Sequence, residues 1–174
     1  MKKSTEKKYL PEFVFGAIDG AVTTFAVVAG ALGASLSSIV VLILGFANLF
    51  ADGFSMAVSD YLSVESGNEV QESYKHKHLK NPKKMAFVTF IAFVIIGIIP
   101  LISFILAPFF IFIDNHKFLY STILTGIAFL VIGRIKADIV GKSRTRAAIE
   151  TLIIGGIAAL IAFGVGYFMR VIVG

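Results

Sequence analysis

The sequence predicts an all-α membrane protein with five transmembrane helices and no separate soluble domain. Apolar residues make up 57% of the 174 residues, the mean hydropathy is +0.87, and 17 residues are phenylalanine. A soluble fold of this size could not cover so much apolar surface. The apolar runs also lack the alternation typical of a membrane β-barrel, so we expect helices rather than strands.

Five segments are long and apolar enough to cross a bilayer, which takes about 20 residues of helix. They are residues 13–36, 39–62, 85–113, 118–135 and 151–169. Together they make residues 1–174 a single transmembrane domain, and Pro100 and Pro108 lie near the far end of the third span. In the connection 64–84, the second span is predicted to continue as a helix into the cytosol until Asn81-Pro82 breaks it.

The basic residues predict the orientation of the chain. Fourteen of the 16 lysines and arginines lie before the first span, between the second and third, or between the fourth and fifth. The positive-inside rule therefore places the N-terminus in the cytosol and the C-terminus outside. The net charge of +5 reflects this topology and anionic lipid rather than binding to nucleic acid. A compact chain rich in Lys, Ile and Phe favours a prokaryotic plasma membrane.

Two aspartates inside the first two apolar segments are the strongest functional signal. Asp19 lies in the first span and Asp52 in the second. A charge at membrane depth costs at least ~2.5–3.5 kcal/mol, so an intramembrane aspartate marks a functional site by default. Asp19 and Met56 are both predicted about 10 Å inside the cytosolic boundary, counted at 1.5 Å per residue, and Asp52 near the midplane.

Four residues spaced four apart form a stripe on the second span: Asn48, Asp52, Met56 and Asp60. A thioether together with carboxylates suits a borderline divalent transition metal, with Fe²⁺ and Mn²⁺ as the natural candidates. Two plainer interpretations remain open. Met56 could be a packing methionine, and we interpret Asp60 as a solvated helix end.

The connection after the second span carries a second candidate metal site. Glu65, Glu69, Glu72 and His76 fall on one face of a helix, within about 60° of one another. Such a face could collect a divalent metal before it enters the membrane. The alternative is an ordinary solvated face of a helical extension.

Three stretches resemble the vacuolar iron transporter (VIT) family. "FVFGAIDGAVTTFAVVAGALGA" and "GFANLFADGFSMAVSDYLSVES" resemble the first two helices of that family, and "SRTRAAIETLIIGGIAALIAFGVGYF" looks like its fifth helix. The DG in span one and "SMAVSDYLS" at the end of span two are the most specific parts.

The resemblance implies a homodimeric five-helix carrier that moves Fe²⁺, and often Mn²⁺, out of the cytosol in exchange for protons. It also implies an ion path between the first two helices of the two subunits, with Asp19 as the membrane aspartate and Met56 as the methionine ligand. Two features depart from the plant members. Asn48 stands where they have a glutamate, and the link between spans two and three lacks their long metal-binding insertion.

Other functions compete with a carrier. A passive cation channel or a non-transporting scaffold would also tolerate buried aspartates. An intramembrane aspartyl protease needs two aspartates that share a proton, but the chain has no GxGD string. We therefore expect a lipid-embedded transporter that is not an enzyme, has no cofactor, and handles a divalent metal and protons as a homodimer.

Overall fold

The computed structural model describes residues 2–73 and 80–173, with side chains described for residues 9–70 and 80–173. In this part of the chain the regular structure is entirely helical. Its helices are α1 (Lys2–Gly33), α2 (Ser38–Ser73), α3 (Pro82–Gly97), α4 (Ile102–Leu106), α5 (Ile111–Asp114), α6 (Lys117–Val140) and α7 (Arg144–Val173).

Five stretches among these residues are long and apolar enough to cross a membrane. They are Tyr9–Gly33, Ser38–Val70, Pro82–Phe109, Lys117–Val140 and Arg144–Val173. The predicted all-α fold with five transmembrane helices is confirmed, whereas the orientation of the termini stays a prediction.

The second helix is longer than a membrane span requires. α2 has 36 residues, or about 54 Å at 1.5 Å per residue, against about 30 Å for the hydrocarbon core. The sequence placed the end of the span at residue 62 because hydropathy follows composition, whereas the helix continues with polar residues. The predicted helical extension is therefore present as far as Ser73, and residues 74–79, over which it was predicted to continue, lie outside the described residues.

The third span ends irregularly, at the two prolines. α3 ends at Gly97, and short 3-10 turns at Ile99–Leu101 and Ala107–Phe109 contain Pro100 and Pro108. A proline cannot donate a backbone hydrogen bond, so each one interrupts the α-helical pattern. The buried hydroxyl of Ser121 on α6 donates to the carbonyl oxygen of Pro100 at 2.6 Å, which fixes this irregular segment against the next helix.

Contacts between the helices define their directions. α1 runs parallel to α3, because Gly16 faces Thr89 and Gly20 faces Phe93. α1 also runs parallel to α7, which it meets near residues 30–33 and 162–167. α2 is antiparallel to α3, and α6 is antiparallel to α7. One end of the bundle therefore contains the starts of α1, α3 and α7 and the ends of α2 and α6. We call it the basic end, because most lysines and arginines cluster there.

Glycines let α1 approach two neighbours at backbone distance. A Cβ at Gly16 or Gly20 would collide with the α3 backbone, and one at Gly33 would collide with the α7 backbone. Small residues permit such close packing where no hydrophobic driving force separates helix from lipid. The GxxxG pair Gly16 and Gly20 is thus occupied by packing within the chain.

Candidate functional site

The two intramembrane aspartates lie close together in space. Asp19 on α1 is half-buried and Asp52 on α2 is exposed on the surface of the single chain. The two carboxylates are near enough for their like charges to repel. Neither has a hydrogen bond or ion pair to another side chain in the described parts of the molecule. A shared cation, or protons, would relieve this repulsion.

Packing around α3 brings the two carboxylates to the same level of the bundle. Gly20, next to Asp19, lies against the backbone of Phe93, and Gly53, next to Asp52, lies against the ring of the same residue. Both aspartates therefore flank one level of α3. The sequence placed Asp52 deeper than Asp19, because counting residues from predicted span ends carries the error of those ends.

Met56 and Asn48 lie one helical turn on either side of Asp52 along α2. Both are half-buried. The buried side-chain nitrogen of Asn48 has no hydrogen-bond partner among the described residues, so no described contact fixes that end of the amide. The stripe predicted from the sequence thus offers a thioether, an amide and a carboxylate along one helix.

Asp60 is more than a solvated helix end. It is half-buried, and the hydroxyl of Thr89 on α3 donates to its Oδ2 at 2.8 Å. Thr89 itself is fully buried. The carboxylate therefore joins α2 to α3 about two turns from Asp52, towards the basic end. Its place on the four-residue stripe was the signal that could have identified it.

Glu12 is an acidic residue of α1 that sequence reasoning overlooked. It is only 8% exposed, its Oε1 lies 3.3 Å from Nζ of Lys80, and its buried Oε2 has no hydrogen-bond partner among the described residues. The predicted first span began at residue 13, so Glu12 was counted as lying outside the membrane. Its distance of seven residues from Asp19, two helical turns, was the available signal.

A cleft gives Asp19 access to the surface. It has a volume of about 400 Å³, is mostly apolar, and lies between α1 and the last turns of α6. Its lining includes Asp19, Pro11 and Lys136. Nζ of Lys136 also lies 3.9 Å from Oε2 of Glu150 on α7. Because the cleft reaches Pro11 near the start of the first span, it connects the aspartate towards the basic end.

The predicted metal-collecting face is only partly within the described residues. Glu65 is half-buried and accepts a hydrogen bond from the hydroxyl of Tyr61 at 2.8 Å, and Glu69 is exposed one turn later. Glu72 lies in α2, but its side chain is outside the described residues, as is His76 altogether. The face therefore stays a prediction.

No group of three His, Cys, Asp or Glu side chains that could hold a metal ion occurs among the described residues. A divalent transition metal usually takes four to six donors. The pair Asp19 and Asp52 would thus need the thioether of Met56, water, or donors from a second copy to complete a coordination shell.

Comparison with known proteins identifies related sequences. The profile of the VIT family matches residues 10–80 and 70–167. A vacuolar iron transporter of Toxoplasma gondii is 28% identical, with 98% of this chain and 78% of the relative covered. A vacuolar iron transporter of Plasmodium berghei is 23% identical, covering 96% and 84%. Vacuolar iron transporter homolog 4 of Arabidopsis thaliana is 28% identical, covering 92% and 84%.

The lengths of these alignments bear on the link between α2 and α3. The alignments to the two parasite proteins run over 234 and 230 positions, more than the 174 residues of this chain. These relatives therefore contain residues that this chain lacks. The two stretches matched by the family profile overlap at residues 70–80, within that link.

Since the family profile matches most of the chain, this protein belongs to the VIT family.

Proposed function

We propose that this protein exports a divalent transition metal, Fe²⁺ or Mn²⁺, from the cytosol in exchange for protons. The observation that carries the proposal is the repelling pair Asp19 and Asp52 in the apolar part of the bundle. The similarity to proteins named vacuolar iron transporter supports iron as cargo.

The charge of the carboxylate pair explains why metal and protons would exchange. Two ionised carboxylates close together in an apolar setting are costly unless a cation compensates them. One divalent ion neutralises both charges, and so do protons. The site is therefore stable when it is loaded with either cargo and unstable when empty, which favours exchange over passive leak. The Met56 thioether selects a softer metal over Mg²⁺ or Ca²⁺.

The exposure of Asp52 supports a homodimer. In the single chain this carboxylate faces outward from a transmembrane helix, where it would meet lipid. A second copy packed on the same face of α2 would remove Asp52 from lipid and bring a second set of donors to the ion. In this arrangement the basic end faces the cytosol, and the membrane is a prokaryotic plasma membrane.

Reconstitution into liposomes tests the proposal. Fe²⁺, Mn²⁺, Co²⁺ and Zn²⁺ uptake is measured with a metal-sensitive dye inside the vesicles, with and without an imposed proton gradient. We expect Fe²⁺ or Mn²⁺ flux that drives proton movement in the opposite direction. Flux that ignores the pH gradient would indicate a channel, and no flux above that of empty vesicles would indicate a scaffold.

A further inference from the structure

The Glu12 carboxylate is buried without enough partners. It is 8% exposed, and among the described residues its charged contact is the Lys80 ammonium, whose Nζ lies 3.3 Å from Oε1. Its Oε2 is buried and has no hydrogen-bond partner among the described residues. Buried carboxylates are normally paired and fully hydrogen-bonded. Glu12 therefore has an unused acceptor at the basic end of the bundle.

Lys80 does not reach Glu12 by chance, because its backbone is held. The side chain of Asn68 on the α2 extension donates to the carbonyl oxygen of Lys80 at 2.7 Å and accepts from its N–H at 3.0 Å. The next residue, Asn81, caps α3 by accepting from the N–H of Lys84 at 3.1 Å. The backbone of Lys80 is thus fixed between α2 and α3, while its half-exposed side chain extends to α1.

Glu12 lies on the same face of α1 as Asp19. Seven residues turn a helix by 700°, which leaves the two side chains about 20° apart and about 10 Å apart along the axis. A cation that approaches Asp19 from the basic end therefore passes the level of Glu12. Lys80 places a positive charge at that level, but an ammonium has no lone pair to donate to a metal and cannot serve as its ligand.

We propose that Lys80 blocks Glu12: its ammonium pairs with this carboxylate in the metal-free protein and is displaced when a divalent ion binds Glu12 on its way from the basic end to Asp19. This inference rests on the proposed transport function. Displacement needs little energy, because the Lys80 side chain is half in solvent and approaches only one oxygen. Asn68 keeps the ammonium close, so it returns once the metal has moved on.

The test compares Lys80→Met with Lys83→Met in Mn²⁺ transport and in calorimetric Mn²⁺ binding to the detergent-solubilised dimer or monomer as purified. Lys83 is an exposed lysine three residues along, so both variants remove one charge from the basic end. We expect Lys80→Met to lower the KM and Kd for Mn²⁺ by about two- to fivefold relative to Lys83→Met, because no ion pair must be broken before binding. Lys80→Arg should retain the wild-type values.

Two further variants separate gating from a structural role. In a Glu12→Gln background, Lys80→Met should produce no further change, because the neutral amide at position 12 no longer pairs with the Lys80 ammonium. Asn68→Ala should also lower the KM, because the ammonium is no longer held. Equal effects of Lys80→Met and Lys83→Met, or a raised KM with a lower unfolding temperature, would overturn the proposal. Absence of any Mn²⁺ flux in the wild type would instead contradict the proposed function, while the calorimetric comparison would still test the gate.

Discussion

At the scale of single residues, the chain places two carboxylates at the same level of α3 in the apolar part of a helical bundle. Asp19 is half-buried, Asp52 is exposed, and their charges repel. Neither has a compensating cation among the described residues. Structural needs do not account for such a pair, since an isolated charge at this depth opposes insertion. Under the proposed function, a transported cation compensates these charges.

Asp19→Asn should reduce metal transport by more than about 100-fold, the upper end of the loss caused by changing even an outer-shell partner of a metal. The amide has the same shape and removes one of two repelling charges, so we expect the variant to fold and reach the membrane. Liposome flux of Fe²⁺ or Mn²⁺ measures the effect. Asp114→Asn, which alters an exposed carboxylate paired with Lys117, is the control, and wild-type flux in Asp19→Asn would contradict the carrier mechanism.

Met56→Leu tests the thioether as a ligand. Leucine conserves volume and apolarity, so the stability cost should stay below about 1.5 kcal/mol. Loss of a sulfur donor should weaken the apparent affinity for Fe²⁺ by about tenfold, which concentration-dependent flux would reveal. Met169→Leu on the exposed side of α7 is the matched control. If the two variants have the same affinity, Met56 is a packing residue.

At the scale of elements, α2 combines a transmembrane half with an extension beyond the bilayer. The transmembrane half carries Asp52 and Met56, and the extension carries Glu65, Glu69 and the Asn68 side chain that holds Lys80. One continuous helix therefore links the predicted collecting face to the carboxylate pair in the membrane. We therefore expect substitutions on the collecting face to affect metal capture, and substitutions of Asp19 or Asp52 to affect translocation.

Changing Glu65, Glu69 and Glu72 together to glutamine should raise the KM for metal by about tenfold, the lower end of electrostatic focusing effects. Transport at saturating metal should survive, because Asp19 and Asp52 are untouched. The control, Asp138→Asn with Glu150→Gln, removes two exposed carboxylates on α6 and α7 near the same end. An unchanged KM would make the glutamates a solvated face, and lost flux at saturating metal would place them in the translocation step.

At the scale of the whole molecule, the proposed homodimer would shield the outward-facing Asp52 from lipid with a second copy of the chain. The chain contains no cysteine, so a single engineered cysteine can report proximity between copies. Ser55→Cys lies on the exposed side of α2, close to Asp52, and should form a disulfide-linked dimer under mild oxidation in native membranes. Leu160 on α7 is 73% exposed, and the Leu160→Cys variant should remain monomeric. Equal crosslinking at both positions would indicate random collision rather than a dimer built on α2.

The sequence predicted the number, order and approximate extent of the spans, because hydropathy measures directly what a bilayer selects. It also identified Asp19 and Asp52, whose charges stand out against apolar neighbours. It could not predict which helices touch. The first two helices are neighbours in the sequence, yet α1 packs more extensively on α3 and α7 than on α2. The link between Asn68 and Lys80 was also beyond sequence reasoning, because it joins polar side-chain and backbone groups twelve residues apart.

The way α1 is held has a mechanical consequence. Through Gly16, Gly20 and Gly33 it lies backbone to backbone against α3 and α7, where no side chain can rotate to absorb a displacement. α2 meets α3 through side chains instead, namely the rings of Phe90 and Phe93 and the Asp60–Thr89 hydrogen bond. If the protein transports metal as proposed, a change of access would be expected to move α2 across these side-chain contacts while α1 stays in place. Asp52 would then move relative to Asp19.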